Sequence, residues 1–342
     1  MHKVKNKEKA KHMADTPENT DEAAITETPE YSVFLTDGTM PLARILIRLL
    51  IDGGHKVTAM TDTAAGAEII RAGGGLPVFA DPTRSGEIAG MLKLAKADVV
   101  VHIAPQNANL SPYARSPFSA ELVRETTQAT IDAAKAADVG YVVHTSFAML
   151  YGNTGDAPAD ETSALHPADD PLAQAGRDAE AIVTASGLAY AILRAGYVYG
   201  PDSPVIHAIS DALSAGRPVH TGEGDNVAPW VTTVDMATAL YLAIYEQPQN
   251  EIFNIVDDVP TTPKTFLDHL AAEQGLPPQG GMASILKRFN RPQTPELLAL
   301  STRVSNAKAK DVLGWTPKFA DYKAGIDDVL LNWRMALSAK QS

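Results

Sequence analysis

The stretch Tyr31-Ser-Val-Phe-Leu-Thr-Asp-Gly-Thr-Met-Pro-Leu-Ala43 decides how this chain is read. Residues 33–35 form a short apolar run of strand type. Leu42, Ile45, Leu46, Leu49 and Leu50 then recur at helical spacing. Between them lies a strand-to-helix turn. Pro41 suits the first helical position, where a missing N–H leaves no hydrogen bond unmade.

The same alternation continues down the chain. Strands are expected at 31–36, 56–60, 76–79, 97–103, 140–145 and 189–195, and helices at 40–53, 63–72, 84–95, 116–137 and 170–186. Val99-Val-Val-His-Ile103 is a nearly unbroken apolar run, the signature of a strand buried on both faces. Short connections in βα order with right-handed crossovers give an α/β fold, a doubly wound parallel sheet of Rossmann-like type. After Gly200 the pattern changes. Pro and Gly become frequent, and Tyr322, Ile326, Val329, Leu330 and Trp333 mark one face of a closing helix. The expected organisation is a tail at 1–30, a Rossmann-like domain at 31–200 to which the chain returns at about 232–257, and a smaller C-terminal α/β substrate-type domain within 201–342. Residues 1–30, lysine-rich and then acidic, read as a disordered tail or a tag, with His12-Met13 resembling a junction.

Dinucleotide-binding sheets carry T-G-x-x-G-x-x-G at the first strand-to-helix turn, the glycines admitting a diphosphate close to the backbone. Here the three glycine positions hold Asp37, Met40 and Ala43, with Gly38 and Thr39 between the first two. Asp37 is expected to cap the following helix and to fill its anion site. Met40 is expected to project where a diphosphate would sit. Asp62, after the second strand, has the chemistry of a ribose-hydroxyl acceptor, and Asp81, after the third, could flank an adenine. Each also fits a solvated loop or a helix cap.

The 342 residues carry a net charge of −12, which argues against nucleic acid and anionic membrane surfaces. There is no cysteine. No apolar run is long enough to span a bilayer, so a soluble cytoplasmic protein is expected. The histidines show no H-E-x-x-H and no paired ligand spacing, and no metal is expected.

From about residue 31 to 336 the chain resembles the extended short-chain dehydrogenase/reductase family, of the NAD-dependent epimerase/dehydratase type. The resemblance rests on His102-Ile-Ala-Pro105, Leu150-Tyr-Gly152, Pro171 and Glu180, Leu193-Arg-Ala-Gly-Tyr-Val-Tyr-Gly-Pro201, Thr233-Val-Asp235, Ser305-Asn-Ala-Lys-Ala-Lys310 and Leu313-Gly-Trp-Thr-Pro317. It places Ala104 beside a cofactor. It also places the family's Ser/Thr, Tyr and Lys on Phe147, Leu172 and Gly176, none of which can move a proton. Tyr151, His144 and Ser146 are the remaining candidates near the crevice, with Asp160 a further acid. Trp230 is read as lining the second domain.

The resemblance and its departures together imply a catalytically silent member acting as a binding, scaffolding or regulatory subunit, with no cofactor, or NAD(P) if any. Two alternatives stand beside it. One is a cofactor-independent isomerase, cyclase or lyase in the same cleft. The other is an NAD(P)-dependent nucleotide-sugar epimerase or reductase with atypical residues. The family resemblance also implies a homodimer through helices 116–137 and 170–186, a face that could equally meet a heterologous protein partner.

Overall fold

The structure, a computed structural model, describes residues 29–104, 120–167, 171–217, 224–278 and 300–341. The tail expected at 1–30 falls almost wholly outside the described residues, as do Pro105 and the start of the helix expected at 116.

Seven parallel strands form the main sheet: β1 (Ser32–Leu35), β2 (Lys56–Met60), β3 (Leu76–Val78), β4 (Val99–His102), β5 (Tyr141–Phe147), β6 (Ala189–Ala195) and β9 (Glu251–Ile255), in the order β3-β2-β1-β4-β5-β6-β9. The chain order reverses between β1 and β4, so their carboxyl ends open a crevice of the kind that takes ligands in such sheets. Two three-residue strands, β7 (Tyr197–Tyr199) and β8 (Trp230–Thr232), pair in parallel as a separate small sheet.

Alternate side chains divide the sheet into two faces. Val33, Leu35, Val99, Val101, Val143, Leu193 and Phe253 pack under α1 (Pro41–Asp52) and α7 (Thr233–Glu246). Phe34, Met60, Val100, Val142 and Ile192 pack on the other side, with α3 (Ser85–Ala95), α4 (Ala120–Ala136) and α5 (Pro171–Thr184). All seven residues of β5 are buried, as a central parallel strand requires. The helix α2 (Ala64–Ala72) starts on a Thr63 cap, whose side chain accepts the Gly66 N–H.

The smaller lobe has its own core. Tyr199, Ile206, Leu213 and Trp230 pack with Phe266 and Leu270 of α8 (Pro263–Glu273), and with Tyr322, Ile326 and Val329 of α10 (Tyr322–Gln341). The helix α6 (Pro204–Ser214) completes it.

Asp235 ties the lobes together. Its carboxylate accepts the Thr232 hydroxyl at 2.7 Å and the backbone N–H groups of Lys318 and Phe319 at 2.6 and 3.2 Å. The buried Trp315 indole, which follows α9 (Ala307–Leu313), donates to the Asp235 carbonyl at 3.0 Å. The Thr-Val-Asp and Leu-Gly-Trp-Thr-Pro segments are therefore two halves of one joint.

Where β6 gives way to β7 the chain passes very close to β8. A Cβ at Gly196 would lie 2.8 Å from the Pro229 carbonyl oxygen and 3.0 Å from the Trp230 carbonyl carbon. These are backbone atoms, which cannot swing aside. Gly196→Ala is expected to destabilise the fold by about 1–3 kcal/mol, read as a lowered midpoint in urea unfolding.

Candidate active-site cleft

The first strand-to-helix turn differs from its expected form. The N-cap of α1 is Met40, and no side chain caps it. Asp37 does not cap the helix. Its Oδ1 accepts the Thr39 N–H at 2.7 Å and the Thr39 hydroxyl at 2.8 Å, closing a turn within the loop itself. A carboxylate two residues before a free N–H makes this bond more readily than it reaches a helix end three residues on. The Met40 side chain is half-buried against the main core. The Gly38 N–H bonds to the Met60 carbonyl at 2.8 Å, and a Cβ there would lie 2.7 Å from that of Ala59.

The family implies NAD(P), and these residues do not fit its diphosphate well. Asp37 holds a carboxylate on the N–H of Thr39, and Pro41 removes one donor from the helix end. An anion brought beside that carboxylate meets repulsion of roughly 1–4 kcal/mol per close charge pair. Asp62 is exposed and makes no hydrogen bond or ion pair among the described residues. Asp81 accepts the Thr83 N–H and hydroxyl at 2.9 and 2.6 Å and pairs with Arg84, so it closes a surface turn before α3. The Ala104 N–H is buried and donates to the Thr145 hydroxyl at 3.0 Å.

At the carboxyl ends of β5 and β6 the family's proton-handling positions are apolar. Phe147 is 3% exposed and packs with Met149, Leu150 and Ala173. A Cβ at Gly176 would lie 2.6 Å from Phe147 Cζ and 2.8 Å from Leu150 Cδ2. The phenyl ring thus fills the space into which a side chain at 176 would project. Leu172 lies on α5, and its side chain is outside the described residues.

The three candidates near this point are occupied otherwise. Ser146 donates to Glu180 Oε1 at 2.6 Å. Glu180 receives Arg194 bidentately, Nε to Oε1 at 2.8 Å and Nη2 to Oε2 at 2.6 Å. Arg194 Nη1 donates to the Tyr151 hydroxyl at 2.7 Å, which donates onward to Asn254 Oδ1 at 2.9 Å. Asn254 is fixed in turn, its N–H on Glu161 at 2.7 Å and its amide on the Ser305 carbonyl at 3.2 Å. Burial raises the Tyr151 phenol above its usual pKa, with Arg194 opposing. The hydroxyl is a member of a closed structural chain.

His144 is fully buried and stacks on His102 with centroids 5.2 Å apart. Burial pushes its pKa down to about 3, so it is neutral at physiological pH. Its Nδ1 has no partner among the described residues, whereas His102 is held by Thr36 and Thr127 at 3.1 and 3.0 Å. Asp160 is exposed and closes a turn through Thr162 and Ser163. Trp230 stacks on Phe266 at 4.0 Å inside the second lobe.

One buried acid just after β9 was not singled out from the sequence. Asp257 follows β9 and donates its N–H to the Trp230 carbonyl at 2.7 Å, while its Oδ2 is buried without a partner. Burial, then the neighbouring Asp258 and Asp321, push its pKa up to about 8. It therefore carries a proton at neutral pH, beside the buried and unpaired Tyr199 hydroxyl.

With this geometry in view, the comparisons with known proteins bear on it directly. Residues 42–256 match the NAD dependent epimerase/dehydratase family. The chain belongs to that family. The matched segment begins within the altered turn, past Asp37 and Met40 and just before Ala43. Over 290 residues the chain is 28% identical to UDP-glucose 4-epimerase of Mycolicibacterium smegmatis, covering 80% of this chain and 89% of that one. It is 27% identical over 306 residues to the 3-diazoavenalumate denitrifying reductase of a Streptomyces species, covering 86% and 98%. Its fold superposes on Thermus thermophilus UDP-glucose 4-epimerase, solved with NAD, with a TM-score of 0.71 at 21% identity, covering 87% and 98%.

Two outcomes are expected. Arg194→Ala leaves Glu180 charged, buried and without its ion-pair partner, and should cost about 3–5 kcal/mol; Tyr151→Phe takes a partner from Arg194 and Asn254 and should cost less, about 1–3 kcal/mol. Urea unfolding of the two variants reads the difference. For Asp257 the folded pKa of about 8 lies above its ordinary 3.8. Its contribution is therefore complete below pH 4 and lost as pH rises through 8, by about 1.4 kcal/mol per pH unit. Asp257→Asn should gain on the unaltered protein in thermal midpoint between pH 5 and pH 8. A constant difference would mean that Asp257 is paired.

Proposed function

We propose that this chain is a family member without the tyrosine–lysine proton relay, and that it acts as a binding, scaffolding or regulatory protein. The observation that carries this reading is the fit of Phe147 to Gly176. The ring takes up the volume that a lysine at 176 would need, and neither residue can exchange a proton. Support comes also from the Asp37 carboxylate, which holds the Thr39 N–H of the phosphate loop. Phe147 at the end of β5 is buried in an apolar cluster, and Asp257 after β9 is buried with a raised pKa of about 8.

A second reading is favoured by the near full-length likeness to the denitrifying reductase. The chain would then bind NAD(P)H and pass a hydride to a substrate that needs no proton from the enzyme. For partners, α4 and α5 are the proposed docking face, for a second copy of this chain or for another protein. They pack side by side and are bridged at the surface by Arg124 and Asp178.

Calorimetric titration with NAD⁺, NADH, NADP⁺ and NADPH decides between the two readings, beside a variant with Asp37, Met40 and Ala43 all changed to Gly. The first reading expects no saturable binding by the unaltered chain and binding by the variant. Saturable binding by the unaltered chain, with oxidation of NAD(P)H on a carbonyl or other hydride acceptor, would replace the first reading with the second.

A further inference from the structure

The geometry points to a divalent-cation site on the second lobe, formed by His269, Glu273 and Asp327. His269 and Glu273 stand one turn apart on α8, and Asp327 comes from α10, which packs across it. One ligand atom from each lies within 4.8 Å of the other two. Residues one turn apart share a helix face, so α8 offers a nitrogen and an oxygen side by side and α10 closes the third corner.

The imidazole is what separates this group from an ordinary acidic surface. His269 Nε2 is buried and has no hydrogen-bond partner among the described residues. It lies 3.9 Å from Asp327 Oδ1, too far for a hydrogen bond, and the ring is set edge-on against Tyr322 with centroids 5.7 Å apart. A buried ring nitrogen without a partner is costly, and here it faces two carboxylates. A cation would use the nitrogen lone pair and offset the repulsion between the acids.

The ring is held from one side, whereas Glu273 and Asp327 are exposed and free to rotate inward. Small side-chain movements bring one nitrogen and two oxygens to the 2.0–2.2 Å that zinc takes, leaving a fourth position for water. The donor set suits Zn²⁺ ahead of Mg²⁺, which prefers oxygen alone. Bound there, the ion would cross-link α8 to α10 beside Tyr322, in the core cluster of the second lobe and not in that of Phe147. The site stands apart from the reading of the candidate cleft and from whether NAD(P) binds.

The test is calorimetric titration of the chelator-treated full-length chain with ZnCl₂, with MgCl₂ as the comparison ion. The thermal midpoint is read alongside. One equivalent of Zn²⁺ with micromolar affinity and a raised midpoint is expected, and no response to Mg²⁺. Glu273→Gln and Asp327→Asn remove only exposed oxygens and should fold unchanged by circular dichroism. Each should weaken binding at least about tenfold, since each removes a charged ligand. His269→Gln should abolish binding. Absence of saturable binding, or binding of equal strength in both carboxylate variants, would overturn the assignment. The second outcome would place the ion on other histidines.

Discussion

The pairing of Arg194 with Glu180 is the constraint around which the carboxyl end of the sheet is arranged. A guanidinium buried near the end of a strand cannot be left without partners, because removing it from water costs several kcal/mol. Glu180 meets it with two parallel hydrogen bonds. That requirement fixes α5 against β6. The spare lone pairs and donors then recruit Ser146 from β5, Tyr151 from the turn that follows, and Asn254 from β9. Three strands and a helix are thereby locked in register at the place where such folds do their chemistry.

Among the described residues beside this network, most groups able to carry a proton are buried or already engaged, and Asp257 is the exception. Phe147 and Leu150 close one wall. His144 lies beneath the surface, neutral and stacked on His102. Asp257, its pKa pushed up to about 8, can exchange a proton near neutral pH, whereas burial holds the Tyr199 phenol well above its usual range. The hydroxyl of Tyr151 is engaged at both ends.

Much of this was legible in the sequence because parallel strands and amphipathic helices write their periods plainly. β2 and β6 have the bounds expected from apolar patterning, and the buried run at β4 lies where its lack of polar residues put it. The seventh strand, β9, was harder: Glu251-Ile-Phe-Asn-Ile255 is short and lies between a helix and a loop. The site was only half readable. The family resemblance brought Phe147 and Gly176 to the proton-handling positions, but not the fact that one ring fills the space beside the other. Asp37 was misjudged because a carboxylate before a helix has two N–H targets, and only the backbone geometry selects between them. Arg194 and Glu180 stood in plain view as motif members. An arginine inside an otherwise apolar strand is itself a signal that a buried acid lies nearby.

The match of Phe147 to Gly176 has a consequence for descent and for engineering. The two residues behave as a lock whose parts cannot be exchanged singly. A side chain added at 176 strikes the ring, and a ring removed from 147 leaves a void against Leu150 and the helix. Any route between this chain and a relative that carries a lysine there must pass through a strained or hollow intermediate, or change both positions together. The present state is therefore protected against casual reversal by packing alone, whatever selection acts on the ligand.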